Sequence, residues 1–246
     1  MVTTDPGRGL PLGATVLAAL FVTALVTAQL TAAKVLAFDV PFSLPYSGSS
    51  LVLPGAALAY ALTFFASDCY TELYGKRAAR RLVNVAFLMN FVVLALVWST
   101  IAAPAANPEF ASTFSSVLGS ATNIVAGSLL AYVASQNWDV IAFHRLKAYT
   151  DGEKLWLRNI GSTASSQLID TVIFVGVAFW LLPQLGVGAE MGLPLVGGGP
   201  VPSVLALIVG QYVLKLGIAL IDTPFVYAVV GAVRSREAGD RRLFAA

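Results

Sequence analysis

The chain has 246 residues, of which 57% are hydrophobic and 11% charged, with 15 Lys and Arg against 13 Asp and Glu. Soluble domains carry about 25% charged residues, and one soluble core of this size could not bury so much apolar surface. One cysteine excludes an internal disulfide and, with one histidine, disfavours a zinc site. The composition therefore indicates an integral membrane protein.

Long windows without charge recur along the chain, at 9–33, 40–67, 82–108, 110–138, 171–189 and 191–214. A membrane helix needs about 20 predominantly apolar residues. Each of the first four windows is long enough to form such a helix. The last two become long enough when they are extended past Asp170 and Lys215, respectively. The pattern predicts one domain over 1–246, an all-α bundle of six transmembrane helices at about 12–38, 51–73, 79–102, 119–143, 160–183 and 203–233.

The first apolar segment has the position of a secretion signal. Its run is longer than the roughly 7–15 residues of a signal's apolar core, and only Arg8 precedes it. We therefore expect a retained helix and not a cleaved signal.

Lys and Arg are distributed unevenly among the loops between these predicted helices. Such cations concentrate on cytoplasmic loops, and six helices place both termini on one side. With the termini inside, the presumed outer loops 39–50, 103–118 and 184–202 contain no Lys or Arg, and Lys34 and Lys215 lie within helices. The other 13 of the 15 cations fall inside: Arg8, Lys76, Arg77, Arg80, Arg81, Arg145, Lys147, Lys154, Arg158, Arg234, Arg236, Arg241 and Arg242. This predicts a multi-pass protein of the cell membrane with both termini cytoplasmic.

Charged and amide side chains recur inside the predicted helices, mostly as pairs on one helical face. A charge at the centre of a membrane helix costs about 2.5–3.5 kcal/mol, so such residues usually face the bundle interior. A spacing of three or four residues places two side chains on one face. The pairs are Asp68 with Glu72, Gln136 with Asp139, Gln167 with Asp170, and Gln211 with Lys215; Asp222 follows seven residues after Lys215.

Structural roles are an alternative for several of these residues. Asp139 lies close to the inner interface and can be hydrated there, and Glu72 can pair with the lysine four residues later. Lys215 can neutralise Asp170 or Asp68 inside the core. The amides expected to form interhelical hydrogen bonds are Asn90 and Asn123.

Several carboxylates and amides around one ammonium suit a small, flat, polar molecule such as a guanine-like ring. One carboxylate can accept from two adjacent N–H donors of the ring, and a lysine or glutamine can donate to its carbonyl oxygen. Aromatic side chains can cover its faces. A vitamin, an amino acid or a proton relay fits the same residues.

The stretch "ASDCYTELYGKRAARRLV" resembles the signature of the queuosine precursor transporter family, earlier described as vitamin uptake transporters. Members carry an Asp, then Glu-x-Tyr-Gly-Lys, then Ala-Arg-Arg after the second helix. The matching residues are Asp68, Glu72, Tyr74, Gly75, Lys76, Ala79, Arg80 and Arg81. The segments "SQNWDVIAFHRLK", "STASSQLIDTVIFVGVAFW" and "YVLKLGIALIDTPFVYAVV" are similar to the family's later helices, so the resemblance runs from the second to the sixth helix.

The resemblance implies a six-helix arrangement similar to the substrate-binding components of energy-coupling-factor transporters. It implies a membrane importer of 7-deazaguanine bases: the nitrile or aminomethyl precursors of queuosine, queuine, or in archaea the nitrile precursor of archaeosine. We expect this substrate and the lipid bilayer as partners, and no cofactor, metal, catalytic residue or nucleic acid. The substrate-binding residues implied are Asp68, Gln136, Asp139, Gln167, Asp170 and Lys215, followed by Glu72, Gln211 and Asp222.

Three other functions fit parts of the sequence. A vitamin-type substrate component would require a separate energising module, because the sequence has no P-loop for ATP. An intramembrane enzyme would need a nucleophile, a metal cluster or an acid–base pair, and Asp68 with Glu72 offers the last of these. A structural scaffold would not need the buried charges.

Overall fold

The computed structural model describes residues 11–150, 155–189, 193 and 199–243 of the chain. Its α-helices are α1 (Leu12–Thr31), α2 (Ala57–Tyr74), α3 (Lys76–Ala102), α4 (Pro108–Gly119), α5 (Ala121–Tyr149), α6 (Leu155–Val175), α7 (Leu182–Gln184) and α8 (Pro200–Leu243). Two antiparallel strands, β1 (Val35–Leu44) and β2 (Gly48–Pro54), separate α1 from α2. A π-helical segment, Gly176–Leu181, joins α6 to α7.

Five segments of the described chain are long and apolar enough to cross a membrane. They are Leu12–Thr31, Lys76–Ala102, Pro108–Leu146, Ile160–Gln184 and Val201–Asp222. Helix α2 has 18 residues, carries Asp68 and Glu72, and is not among these five. The prediction of a multi-pass helical membrane protein is confirmed, although five segments and not six meet these criteria of length and hydropathy.

The prediction of an all-α chain is wrong for the segment after α1, and the first helix, predicted over 12–38, is shorter than expected. Helix α1 ends at Thr31, and the chain then forms the β1–β2 hairpin, which pairs Val35 with Pro54. Prolines 41 and 45 explain why no helix runs through this segment, because proline lacks an N–H and disfavours helix at the preceding residue. Tyr46 and Gly48 both have positive φ, which closes the turn.

The base of the hairpin is fixed by two glycines that allow close backbone contact. The Gly55 N–H donates to the Lys34 carbonyl at 2.6 Å, and a Cβ at Gly55 would overlap the Thr31 carbonyl oxygen. A Cβ at Gly210 of α8 would likewise overlap the carbonyl oxygen of Val52, a buried residue of β2. The hairpin therefore rests directly on α8.

The remaining predicted helices are present with shifted ends. The predicted outer loop 103–118 contains α4, which Asn107 caps by accepting a hydrogen bond from the Phe110 N–H at 3.2 Å. The segment predicted over 203–233 is α8, which extends from Pro200 to Leu243 with Pro224 inside it. Within the predicted outer loop 184–202, residues 190–192 and 194–198 lie outside the described residues.

The core lies where α5 packs closely against α6 and the π-helical segment. Gly127 permits this approach, since a Cβ there would stand 2.9 Å from the Cβ of Ala178. Small residues at such interfaces let membrane helices come close together. Phe174 and Phe179, each 2% exposed, meet edge to face with ring centroids 5.9 Å apart beside this contact. The packing fixes α6 in position next to α2 and α8.

Candidate functional site

A small cleft lies between the end of β2, α2, α6 and α8. Helix α2 contributes lining residues spaced three and four positions apart, and α8 contributes four lining residues on one helical face. We call it the central cleft; its lining residues are Pro54, Ala56, Ala57, Tyr60, Phe64, Phe174, Gln211, Leu214, Lys215 and Ile218. Most of the lining is apolar or aromatic, as in many small-molecule sites.

The polar centre of the cleft is an ion pair between α8 and α6. The Lys215 Nζ donates to Asp170 Oδ2 at 2.5 Å, with the two side chains 5% and 20% exposed. The other oxygen, Asp170 Oδ1, accepts from the Ser135 hydroxyl of α5 at 3.3 Å. Burial of either charge alone would be costly, so each side chain compensates the charge of the other. Of the two partners left open for Lys215 by the sequence, the structure selects Asp170.

Aromatic side chains surround this pair. The Lys215 Nζ lies 6.0 Å from the centroid of the Tyr60 ring, at the outer limit of a cation–π contact. Tyr60 and Phe64 sit one turn apart on α2, with centroids 5.9 Å apart and planes inclined at 57°. Phe174 of α6 lines the cleft with them. The cleft thus offers aromatic surfaces to a flat ring.

Gln211 is the second polar residue on the cleft wall. It lies one turn before Lys215 on α8 and is 5% exposed, yet its Oε1 has no hydrogen-bond partner among the described residues. A buried amide oxygen without a partner costs about 1–3 kcal/mol. Buried polar groups are nearly always satisfied in native structures, so this acceptor is suited to a donor supplied by a ligand.

Three of the predicted site residues gather farther along α2 and α8. Glu72 and Asp222 lie near enough to Asp68 for their charges to repel its carboxylate. Arg234 donates to the backbone oxygen of Glu72 at 2.9 Å, and its Nη2 lies 3.9 Å from Glu72 Oε2. Asp68 and Glu72 are exposed, and none of the three carboxylates lines the central cleft.

The other three predicted residues do not line the cleft either. Gln136 is exposed and Asp139 half-buried on α5, and Gln167 is half-buried on α6. The Oε1 of Gln167 is buried and has no hydrogen-bond partner in the described part of the chain. Of the nine predicted residues, Gln211 and Lys215 line the cleft, Asp170 is held beside them by its ion pair with Lys215, and the other six are absent from the lining.

The two asparagines expected to link helices differ from each other. Asn123 donates through its Nδ2 to the backbone oxygen of Ala189 at 3.3 Å, which ties α5 to the segment after α7. Asn90 is 1% exposed on α3, and neither of its amide atoms has a partner within the described ranges. The described residues therefore contain no interhelical hydrogen bond from the Asn90 side chain.

Sequence reasoning missed most of the aromatic lining. Tyr60 and Phe64 have the four-residue spacing of one helical face, but aromatic residues in a membrane chain are typical of lipid-facing and interfacial positions. Ser135, the hydrogen-bond donor to Asp170, directly precedes Gln136 and carried no signal of its own. Pro54 could not be found, because the strand that places it was predicted as helix.

Three comparisons with known proteins bear on this site. The profile of the family described as "Putative vitamin uptake transporter" matches residues 54–229. The "Probable queuosine precursor transporter" of Bacillus subtilis (strain 168) is 31% identical over 171 residues, which cover 69% of this chain and 68% of that protein. The "Queuosine precursor transporter" of Escherichia coli (strain K12) is 27% identical over 136 residues, covering 52% and 56% respectively. No solved structure matches the chain.

The matched region includes every element that forms the central cleft, from the end of β2 through the first 30 residues of α8. It covers more than half of the chain, and the resemblance noted in the sequence is confirmed. The matched proteins are membrane transporters and not enzymes. The chain belongs to the vitamin uptake transporter family, which includes proteins named queuosine precursor transporters.

Proposed function

We propose that this protein imports 7-deazaguanine bases, the precursors of queuosine, across the cell membrane and binds them in the central cleft. The family match and the names of its relatives support the substrate class. The observation that carries the placement is the buried, unpartnered Oε1 of Gln211 beside the Lys215–Asp170 pair. In this proposal, the route of the base across the membrane continues from the cleft toward the cytoplasm, and its inner part contains Asp68, Glu72 and Asp222.

The chemistry of a deazaguanine matches these groups one by one. Its flat ring lies among Tyr60, Phe64 and Phe174. One of its N–H donors satisfies Gln211 Oε1, which otherwise stays unpartnered. An ammonium has three donors and Asp170 takes one of them, so Lys215 still has donors for the carbonyl oxygen of the ring.

In the same proposal, α2 crosses the membrane as a sixth helix. It packs against both α1 and α8, which cover part of its surface with protein. Its two carboxylates lie toward the end that the positive-inside rule places in the cytoplasm. Six spans place both termini on one side, which the positive-inside rule makes the cytoplasm. The family resemblance implies an arrangement similar to the energy-coupling-factor substrate components.

Replacing Gln211 by Leu tests the placement of the substrate. The change removes the unpartnered amide, so we expect the free energy of unfolding in detergent to rise by about 1 kcal/mol. Uptake of a labelled deazaguanine should fall at least about tenfold, since the base loses one hydrogen bond in a buried site. Thermal unfolding and uptake by cells measure the two effects.

The matched control is Gln184→Leu, because Gln184 is an exposed amide at the end of α7 that does not line the cleft. It should leave uptake unchanged. A Gln211→Leu protein that is folded and takes up the base at the wild-type rate would remove Gln211 from the site.

The orientation is tested by fusing reporters to the C-terminus. With the cations of the loops inside, a fluorescent protein attached there should be bright, and alkaline phosphatase, which requires the periplasm, should be inactive. The opposite pair of results would place the termini outside and would reverse the direction in which the cleft opens.

A vitamin-type substrate component with a separate energising module is the second candidate, favoured by the description of the matching family. Purification from the native membrane distinguishes the two. Stoichiometric ATPase subunits bound to the protein would favour this candidate, and uptake by the chain alone in a host without such subunits would favour the first.

A further inference from the structure

We propose that the first turns of α3, beside their contact with α5, bind the headgroup of an anionic phospholipid. In the orientation proposed above, this lipid belongs to the cytoplasmic leaflet. The site lies outside the central cleft, to which α3 contributes no lining residue, so the proposal does not depend on which base the protein carries. It rests on a patch of unpaired cations, on the contact that places them, and on the apolar surface that follows.

Four of the first six residues of α3 are exposed cations: Lys76, Arg77, Arg80 and Arg81. They form two pairs at four-residue spacing, so like charges meet on the helix surface and repel each other. The first turn of α3 contains no acidic residue. The ion pairs of the described residues are made by Lys215 and Arg234 and not by these four. The positive-inside rule explains on which side the cations lie but leaves their charge unpaired, so the patch is suited to an anion.

One face of α3 carries part of this patch to α5. Arg77, Arg80, Asn84 and Phe87 follow one another at three- or four-residue spacing and therefore share that face. Phe87 stacks on Tyr132 of α5 with ring centroids 4.5 Å apart, and the Tyr132 hydroxyl donates to Asn84 Oδ1 at 3.0 Å. Arg80 lies near enough to Tyr132 for its charge to act on the phenol. The guanidinium N–H groups and the exposed Asn84 amide can donate to phosphate oxygens there.

The next turns of α3 offer an apolar surface to the acyl chains. Val85, Leu88 and Phe91 are 55%, 60% and 54% exposed, and α3 is one of the segments long and apolar enough to cross a membrane. Cations followed at once by exposed apolar residues match a phospholipid, whose phosphate and acyl chains have the same order. A free phosphate would use the cations and leave the apolar surface uncovered, so we assign the site to the lipid.

The test is native mass spectrometry of the intact purified protein, mixed with phosphatidylglycerol or with zwitterionic phosphatidylcholine of the same acyl chains. Each Lys or Arg near an anionic lipid surface strengthens binding about fivefold. The protein should therefore retain phosphatidylglycerol at least about tenfold more tightly. Equal retention of the two lipids would overturn the proposal. Displacement of phosphatidylglycerol by millimolar inorganic phosphate would do the same, because it would show a site for free phosphate.

Arg80→Gln tests the location of the site. It should weaken the retention of phosphatidylglycerol about fivefold and leave that of phosphatidylcholine unchanged. Arg234→Gln is the matched control, because Arg234 is also an exposed arginine but lies beside the Glu72 carboxylate and donates to its backbone oxygen. This protein should retain phosphatidylglycerol as the wild type does. An Arg80→Gln protein with the wild-type lipid preference, or equal losses in the two variants, would contradict a site at α3.

Discussion

Asp170→Asn is expected to abolish uptake and to lower the free energy of unfolding by about 3 kcal/mol. The substitution leaves the Lys215 ammonium, 5% exposed, without its carboxylate partner. Breaking a buried ion pair by removing one partner costs about 3–5 kcal/mol, since the remaining charge stays desolvated. Under the proposed function, uptake fails because Lys215 is no longer held where it would donate to the base. Thermal unfolding in detergent and uptake by cells measure the two losses.

A double-mutant cycle separates the interaction energy of the ion pair from the effects of changing each side chain by itself. Asp170→Asn combined with Lys215→Gln removes both charges at similar volume, so it should recover most of the lost stability. Uptake should stay low, because the charged donor to the ring is gone. Additive stability losses, with a coupling energy below about 0.5 kcal/mol, would mean that the pair does not form in the membrane.

Gly210→Leu is expected to lower the free energy of unfolding by about 1–3 kcal/mol, through overpacking, and to reduce uptake strongly. Any Cβ at this position overlaps the carbonyl oxygen of Val52, which is backbone and cannot rotate away. The hairpin must then move off α8. Pro54 at its end and Gln211 next to Gly210 both line the cleft, so the shift distorts the site. Uptake and unfolding of the purified protein report the outcome.

The matched control is Gly217→Leu on the same helix, where a Cβ would meet nothing within 4 Å. Leucine is a better helix former than glycine by up to about 1 kcal/mol, so this protein should be as stable as wild type or slightly more stable. Uptake should be retained. If both leucine variants behave alike, the contact between the hairpin and α8 does not support the cleft.

The hairpin shows where sequence reasoning reached its limit. Hydropathy alone cannot distinguish a buried strand from a short piece of helix, since both are apolar runs. The segment from Val35 to Pro54 was therefore divided among the end of one predicted helix, the predicted outer loop 39–50 and the start of the next helix, and its two strands were missed. The close contact of Val52 with Gly210 joins residues far apart in the chain, and no local pattern contains it.

The polar side of the site was more predictable than its shape. The four-residue spacing of Gln211 and Lys215 predicted that both side chains lie on one face of α8. The cost of a lone charge in a membrane predicted that Lys215 has a charged partner. Whether that partner was Asp170 or Asp68 depended on how α2, α6 and α8 pack, which spacing within one helix cannot determine. The same limit applies to Ser135, whose role exists only through its contact with Asp170.

The central claim, import of a queuosine precursor, is tested most directly by tRNA modification that depends on uptake. A host that can neither synthesise deazaguanines nor import them expresses this chain and receives the nitrile base at nanomolar concentration. The account predicts that queuosine reappears in its tRNA. Unmodified tRNA, with the protein present and folded in the membrane of that host, would contradict the account.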